Sequence, residues 1–368
     1  MGKTLFIHIG MPKAGSTTLQ FALRSQRDLL AAAGVYYLRL GECHNEIFRT
    51  FCGAPHPRSD IPATTAIELQ GLKRTAEAYG GRIVEEARKV EDVGIVSGEA
   101  LISFTREQVE MIRDVFRPHF DRIAIVAYLR EPLSWASSRT QQKIKNGADT
   151  LERIIASIDQ EQSPLVPPYR AIRIWEDVFG RDALILRPFA REAFPNGDLI
   201  ADFFAAIGRP ELAEPLPRQD KNLTLSQEAV QLVDALKRLD EARNGKQSPA
   251  SRRLRYALMR LPGERFSLPR ATLERVQARA EPEIAWLKEN YGVDVQPRGP
   301  RYPDAPLAWQ SDTVDALVER LERAVGETRR ASGPLSRLWG WLRARLPRPL
   351  RRAAGPRSKP GPTPISDD

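Results

Sequence analysis

Five short apolar runs rich in Val and Ile recur along the first 207 residues, each separated from the next by a helical pattern. This alternation constrains the fold more than any other feature of the chain. Residues 4–10, 34–38, 93–97, 122–129 and 183–186 read as strands buried on both faces, because they are short and show no polar alternation. Residues 16–33, 66–90, 106–116, 132–146, 169–179 and 197–207 carry helical periodicity. Parallel strands need helical crossovers, so the expected class is a doubly wound α/β layer structure. Ligands of such folds gather at the carboxyl ends of the strands. Beyond Gly208 the prolines at 210, 215 and 217 mark a break, and helical patterns follow over 225–243, 268–290 and 313–330. The reading divides the chain into a core at 1–210, a helical C-terminal part of the same catalytic unit at 211–332, and a basic Pro/Arg-rich tail at 333–368 with no internal repeat.

The net charge of +9 invites a nucleic-acid reading. Its distribution argues against one. Residues 333–368 hold eight Lys or Arg and two Asp, and residues 237–279 hold twelve basic and four acidic side chains, which leaves the remainder at −5. Most of the chain is mildly acidic, so no nucleic-acid partner is expected. The two cysteines, Cys43 and Cys52, form no metal-ligand cluster and read as reduced thiols. There is no apolar run of about 18 residues, and Gly2 lacks the Ser or Thr at position 6 that myristoylation needs. These features lead to the expectation of a soluble, cytoplasmic protein.

Chemistry enters where the first strand ends, in Gly10-Met11-Pro12-Lys13-Ala14-Gly15-Ser16-Thr17-Thr18. A strand, a Gly-containing loop and a hydroxyl-rich helix start bring free backbone N–H groups and the positive end of the helix dipole to one point. Gly10 and Gly15 have the Walker A spacing, but Ser16 stands where that motif has lysine, and the loop's lysine is Lys13. A P-loop kinase or NTPase is therefore the weaker of two phosphate-binding readings. Three consecutive hydroxyls also exceed what an ordinary helix cap requires.

The Pro-Lys-Ala-Gly-Ser-Thr run resembles the 5′-phosphosulfate loop of the sulfotransferase family, of bacterial type, which uses 3′-phosphoadenylyl sulfate. The resemblance implies a P-loop-like three-layer α/β fold with a mainly parallel sheet, plus C-terminal helices. It further implies that Lys13 contacts the bridging oxygen and the transferring sulfuryl group. The amides of Ala14, Gly15, Ser16, Thr17 and Thr18 and the three hydroxyls would hold the 5′-phosphate. Ala14 replaces the Ser or Thr common at its position, which removes a hydroxyl that often restrains the lysine.

A second anion site is expected, because this donor carries a 3′-phosphate. The strand at 122–129 runs into Arg130-Glu131-Pro132, with Ser134, Ser137 and Ser138 on the following helix. Arginine can bind phosphate through two parallel hydrogen bonds. Ser138 lies about 9 Å along the helix from Pro132 at 1.5 Å per residue. Arg130, Pro132 and Ser138 match the family's 3′-phosphate motif in type and spacing, and together the two motifs cover about residues 4–210.

Sulfuryl transfer to a hydroxyl also needs a base. His44, with Glu42 beside it, is the first candidate, because the resemblance implies a histidine or glutamate in this segment. Glu99 is the second, at a strand end that in cytosolic relatives carries the catalytic histidine; a plain helix-start carboxylate is the alternative. His8 reads as a core residue, and His56 and His119 receive no role. No metal is expected. The arginines of 252–270 read as a solvated helix face or as a rim attracting anions. In the tail, Leu335, Leu338, Trp339, Leu342 and Leu346 share one helical face. That pattern suits peripheral contact with anionic lipid through 335–346, at the inner face of the membrane, and equally suits docking on protein. The expectation is a sulfotransferase acting on a hydroxyl-bearing, carbohydrate or glycan-like acceptor. Its rivals are the P-loop kinase and a non-catalytic basic module binding membrane or nucleic acid.

Overall fold

The run Thr4–His8 (β1) sits at the centre of a parallel sheet because nothing in it prefers water: Leu5 and Ile7 are 0% exposed. Val93–Ser97 (β3) pairs on one side and Arg122–Leu129 (β4) on the other, with Thr4 opposite both Val93 and Arg122. Val35–Tyr37 (β2) and Leu184–Pro188 (β5) complete the order β2-β3-β1-β4-β5, with every pairing parallel. β5 ends in Pro188, which an edge strand tolerates because its missing N–H is not needed by a further neighbour. The computed structural model describes residues 2–41, 44–53, 66–213, 224–244, 249–261, 263–297 and the positions 314 and 318.

The helices are α1 (Ser16–Ser25), α2 (Arg27–Ala32), α3 (Asn45–Phe51), α4 (Ala66–Arg88), α5 (Arg106–Phe116) and α6 (Pro132–Asn146). They continue with α7 (Leu151–Ala156), α8 (Ile172–Phe179), α9 (Leu199–Ala206), α10 (Gln227–Asn244), α11 (Pro249–Leu258) and α12 (Arg270–Tyr291). Right-handed crossovers send the β1–β2 connection to one face of the sheet and the later ones to the other. Accordingly α4, α5 and α8 pack together and α1 packs with α9. This is the three-layer α/β architecture with a parallel sheet that the sequence predicts.

Local chemistry sets the boundaries. Thr105 and Gln108 form a reciprocal capping box at the start of α5, whose Val109, Ile112 and Phe116 are buried. Asp198 Oδ1 accepts the Ile200 N–H at 2.8 Å to start α9. The predicted helix over 16–33 is broken at Gln26 (φ −123°). There Ser25 Oγ donates to the Ala22 carbonyl at 3.1 Å, competing for a helix acceptor.

The chain divides into two compact units. One comprises Met1–Arg139, Gln160–Asn222 and Leu273–Arg301 and holds the whole sheet. Of the described residues, the other comprises Thr140–Asp159, those within 224–272 and the positions 314 and 318. Within the second, Arg153 Nη2 donates to both Glu241 carboxylate oxygens at 2.8 Å and ties α7 to α10. Ser251 Oγ donates to Asp240 Oδ1 at 2.6 Å and ties α11 to α10. Arg252, Arg253, Arg260, Arg265 and Arg270 face solvent, whereas Leu254, Leu258 and Leu261 are buried. The tail with its segment 335–346, most of 313–330, and Glu42, Cys43, His56, Lys221 and Asn222 lie outside the described residues. Among the described residues, no helix is long and apolar enough to cross a membrane.

An ion pair with a buried carboxylate and a half-buried arginine stitches the sheet edge to its helical layer. Asp202 of α9 is 0% exposed. It accepts from Arg187 Nε and Nη2 at 2.6 and 2.5 Å and from the Tyr128 hydroxyl at 2.8 Å. Arg187 keeps 37% of its side chain exposed, so removing Asp202 leaves a cation that water still reaches, at a cost of about 1–3 kcal/mol for the lost charged hydrogen bonds. Asp202→Ala should therefore lower stability in urea unfolding by that amount, and Asp202→Asn by less, since the amide oxygen still accepts from Tyr128. Equal stability of Asp202→Ala and wild type would remove this role.

Candidate active site

The loop between β1 and α1 is built from left-handed backbone: Gly10, Lys13 and Gly15 have φ of 49°, 68° and 80°. Glycine takes this conformation freely, whereas a side-chain residue does so at about 1–2 kcal/mol. Lys13 must therefore be held there, and neighbouring groups do so. The Ala14 N–H donates to the Met11 carbonyl at 3.1 Å. The Arg130 Nη1–H donates to the Lys13 carbonyl at 2.8 Å, and the Trp135 Nε1–H donates to the Pro12 carbonyl at 2.8 Å. The β4–α6 corner thus grips the loop at two successive carbonyls. Space fixes the glycines too: a Cβ on Gly10 would lie 2.9 Å from Glu99 Cα, and one on Gly15 would lie 2.3 Å from Leu199 Cδ2.

At the start of α1 the first residue, Ser16, is buried, and its Oγ has no hydrogen-bond partner among the described residues. Gly15 stands at the cap position and no side chain caps the helix. The orphan donors of the first turn are those an anion would satisfy. Ala14 is buried, Thr17 exposed and Thr18 half-buried.

Arg130 sits just past β4, which runs three residues beyond Val126, the partner of His8. Its Nε donates to Ser134 Oγ at 3.0 Å, its guanidinium lies 6.0 Å from the Phe189 ring centroid, and its carbonyl accepts from the Tyr169 hydroxyl. Glu131 turns its carboxylate back onto the Leu133 and Ser134 amides, both at 2.8 Å, and so starts α6. Ser138, half-buried, lies one turn past Ser134 on the same helix face.

The electrostatics join Lys13, Glu99, Arg130 and Arg139. Burial pushes the Lys13 ammonium below the ordinary lysine range; Glu99 opposes that shift, and Arg139 and Arg130 add to it. Burial raises the Glu99 carboxyl above its ordinary value, while Lys13 and Arg139 pull it down. Arg139 lies 5.8 Å from the Trp135 ring centroid, and its buried Nε has no hydrogen-bond partner among the described residues. Among the described residues the cations Lys13, Arg130 and Arg139 gather here with the carboxylate of Glu99, while Glu131 is engaged by the Leu133 and Ser134 amides.

His44 occupies a different environment. It is 0% exposed, its ring is stacked on Tyr37 at 4.7 Å, and its Nδ1 accepts the Ser97 N–H at 3.2 Å. Burial and the Arg27 charge lower its pKa to about 3. His8 is likewise buried, its Nδ1 2.8 Å from Ser97 Oγ, with its pKa pushed to about 4. Among the described residues no group of three or more His, Cys, Asp or Glu is placed to hold a metal.

Lys13, Glu99 and Arg130 are thus brought into one electrostatic cluster, and His44 lies buried behind it against β3. Trp135, Arg139, Tyr169 and Phe189 are site residues that the sequence motifs do not include. The i, i+4 repeats Ser134–Ser138 and Trp135–Arg139 are the signal that α6 presents two rows of functional side chains.

Comparison with known proteins adds little. No family model matches the chain. A curated uncharacterized protein of Archaeoglobus fulgidus is 27% identical over 122 residues, 33% of this chain. That match spans about a third (32%) of the relative's length. A crystal structure of a sulfotransferase from Alicyclobacillus acidocaldarius is similar at a TM-score of 0.37 and 19% identity, covering 67% of this chain and 98% of its own.

The glycine requirement is directly testable. Gly15→Ala adds left-handed strain of about 1–2 kcal/mol to clashes with Leu199 Cδ2 at 2.3 Å and Phe189 Cε2 at 2.9 Å, so in a Leu199→Ala background it should still destabilise by at least the strain alone. Urea unfolding of Gly15→Ala, Leu199→Ala and the double variant measures this, and a wild-type midpoint for Gly15→Ala would contradict the loop geometry.

Proposed function

We propose that the protein is a sulfotransferase that moves a sulfuryl group from 3′-phosphoadenylyl sulfate to a hydroxyl acceptor. The observation that carries this reading is the hydrogen bond from Arg130 to the Lys13 carbonyl. It makes one rigid unit of two cationic devices, as a nucleotide with anionic groups at both its 3′ and 5′ positions requires. The fit of the donor rests on the uncapped first turn of α1 and the unpartnered Ser16 Oγ. The amides of Ala14, Gly15, Ser16, Thr17 and Thr18 would hold the 5′-phosphate, and Arg130 with Ser134 and Ser138 the 3′-phosphate. When bound, the donor supplies the sulfuryl group, which leaves the phosphosulfate bridging oxygen for the acceptor oxygen.

The chain's own residues provide the remaining chemistry. Lys13 sets a positive charge at the tip of the loop, where negative charge grows as the bridging oxygen departs. Glu99 takes the proton of the acceptor hydroxyl, and a buried carboxylate with a raised pKa is the stronger base for that step. Lys13 and Glu99 each favour the other's charged form, so the active pairing is a cation beside an anion. A carbohydrate acceptor is part of this proposal on the resemblance of the two motifs to the family alone.

Transfer of labelled sulfuryl groups to a panel of glycans tests the reading. Glu99→Gln should lower kcat by about 10²–10⁴, and Lys13→Ala by about 10²–10³, while Glu99→Gln still binds adenosine 3′,5′-bisphosphate. Activity needs Glu99 ionised and Lys13 protonated. The kcat/KM profile should therefore rise through a pKa above about 4.3 and fall through one below about 10.4. Glu99→Gln should abolish the acid limb. Wild-type turnover in Glu99→Gln, or no transfer to any acceptor from the wild type, would contradict the proposal.

A further inference from the structure

The turn that carries Glu99 is held from below by two consecutive residues at the start of α3. The Ser97 N–H donates to His44 Nδ1 at 3.2 Å, and the His44 N–H donates back to the Ser97 carbonyl at 3.3 Å. The Ala100 N–H donates to Asn45 Oδ1 at 2.8 Å. Glu99 lies between these two anchored positions. The Gly98 N–H donates to the His8 carbonyl at 3.0 Å, and the Ile102 N–H donates to the Ile9 carbonyl at 3.1 Å. Gln20 Nε2 donates to the Ser97 carbonyl and Oγ at 3.3 and 3.2 Å. Every backbone group named here is satisfied without using the Glu99 side chain.

His44 cannot reach an acceptor from its position. The ring is sealed at 0% exposure against Tyr37, and the nitrogen that accepts the Ser97 N–H has its lone pair committed. A neutral imidazole with Nδ1 as acceptor carries its proton on Nε2. A base must offer a free lone pair to the substrate proton within hydrogen-bond reach, and neither nitrogen does.

We propose that His44 and Asn45 are a positioning pair that fixes the turn from Ser97 to Ala100, keeping Glu99 beside Lys13, and that His44 takes no part in proton transfer. This rests on the assignment of Glu99 as base, and deepens it. The physical logic is that a catalytic carboxylate misplaced by about 1 Å loses about a hundredfold in rate. A backbone hydrogen bond to a locked ring is a rigid way of preventing that displacement.

The test compares His44→Ala, His44→Asn and Asn45→Ala in the full chain. Asparagine places an amide oxygen where imidazole places Nδ1, so it restores the acceptor and supplies no base in the neutral range. His44→Ala should lower kcat by about a hundredfold, Asn45→Ala should act in the same direction, and His44→Asn should recover most of the loss. The acid limb of kcat/KM should stay where the wild type has it in all three. Hydrogen exchange of the Ser97 and Ala100 amides gives a readout independent of turnover. It should quicken about five- to tenfold in the alanine variants, each at its own amide, and not in His44→Asn. If His44→Asn is as inactive as His44→Ala and the acid limb disappears, His44 is the base and the proposal fails. Unchanged exchange at Ser97 in His44→Ala also overturns it. Absence of sulfuryl transfer in the wild type would sink the functional reading, whereas the exchange pattern would still decide whether the clamp exists.

Discussion

The hydrogen bond from the Arg130 guanidinium to the Lys13 carbonyl, 2.8 Å long, organises the active end of the sheet. A lysine at φ 68° would not stay there unaided, and a loop free to relax would lose the convergence of its amides. Arg130 comes from β4, the neighbour of β1, so the restraint crosses the sheet from one strand end to the next. Trp135 adds a second grip one residue earlier in the loop. Phe189 and Leu199 fill the space that a side chain at position 15 would need. The parallel order β2-β3-β1-β4-β5 makes these meetings inevitable, because it places the ends of β3, β1 and β4 side by side.

Charge follows the same plan. The segment 237–279 carries much of the chain's positive balance, and its Arg252, Arg253, Arg260, Arg265 and Arg270 face solvent over a buried leucine stripe, while Arg255 is buried. The cations beside the loop are fewer and partly buried, which strengthens their action on an anion relative to exposed ones. The field of the Glu99 carboxylate reaches both Lys13 and Arg139. Its burial weakens it as an acid and strengthens it as a base, and the two cations keep that shift in check.

Much of this was legible in the residues. Each of the five strands lies where an apolar run places it; β1 and β3 are buried on both faces as that pattern implies, whereas the edge strand β5 is only half-buried beyond Leu184. Lys13 and Arg130 were legible because they sit at strand ends beside glycine or proline. The short helices α3, α7 and α11 were not, since six to ten residues give too little periodicity to stand out. Trp135, Arg139 and Tyr169 were not legible as site residues, because their roles arise from contacts across the fold. His44 shows the limit most clearly. Its place in the sequence suggests a base, and only its partner, the Ser97 amide, shows a ring already engaged.

The two cationic devices, Lys13 at the loop and Arg130 at the end of β4, are the proposed binding site of a nucleotide phosphorylated at both its 3′ and 5′ positions. Equilibrium binding of adenosine 3′,5′-bisphosphate and of ADP to the same preparation tests it most directly, with Arg130→Ala measured alongside. The bisphosphate should bind more tightly, and that preference should collapse in Arg130→Ala. Tighter binding of ADP, or a preference that survives the loss of Arg130, would contradict it.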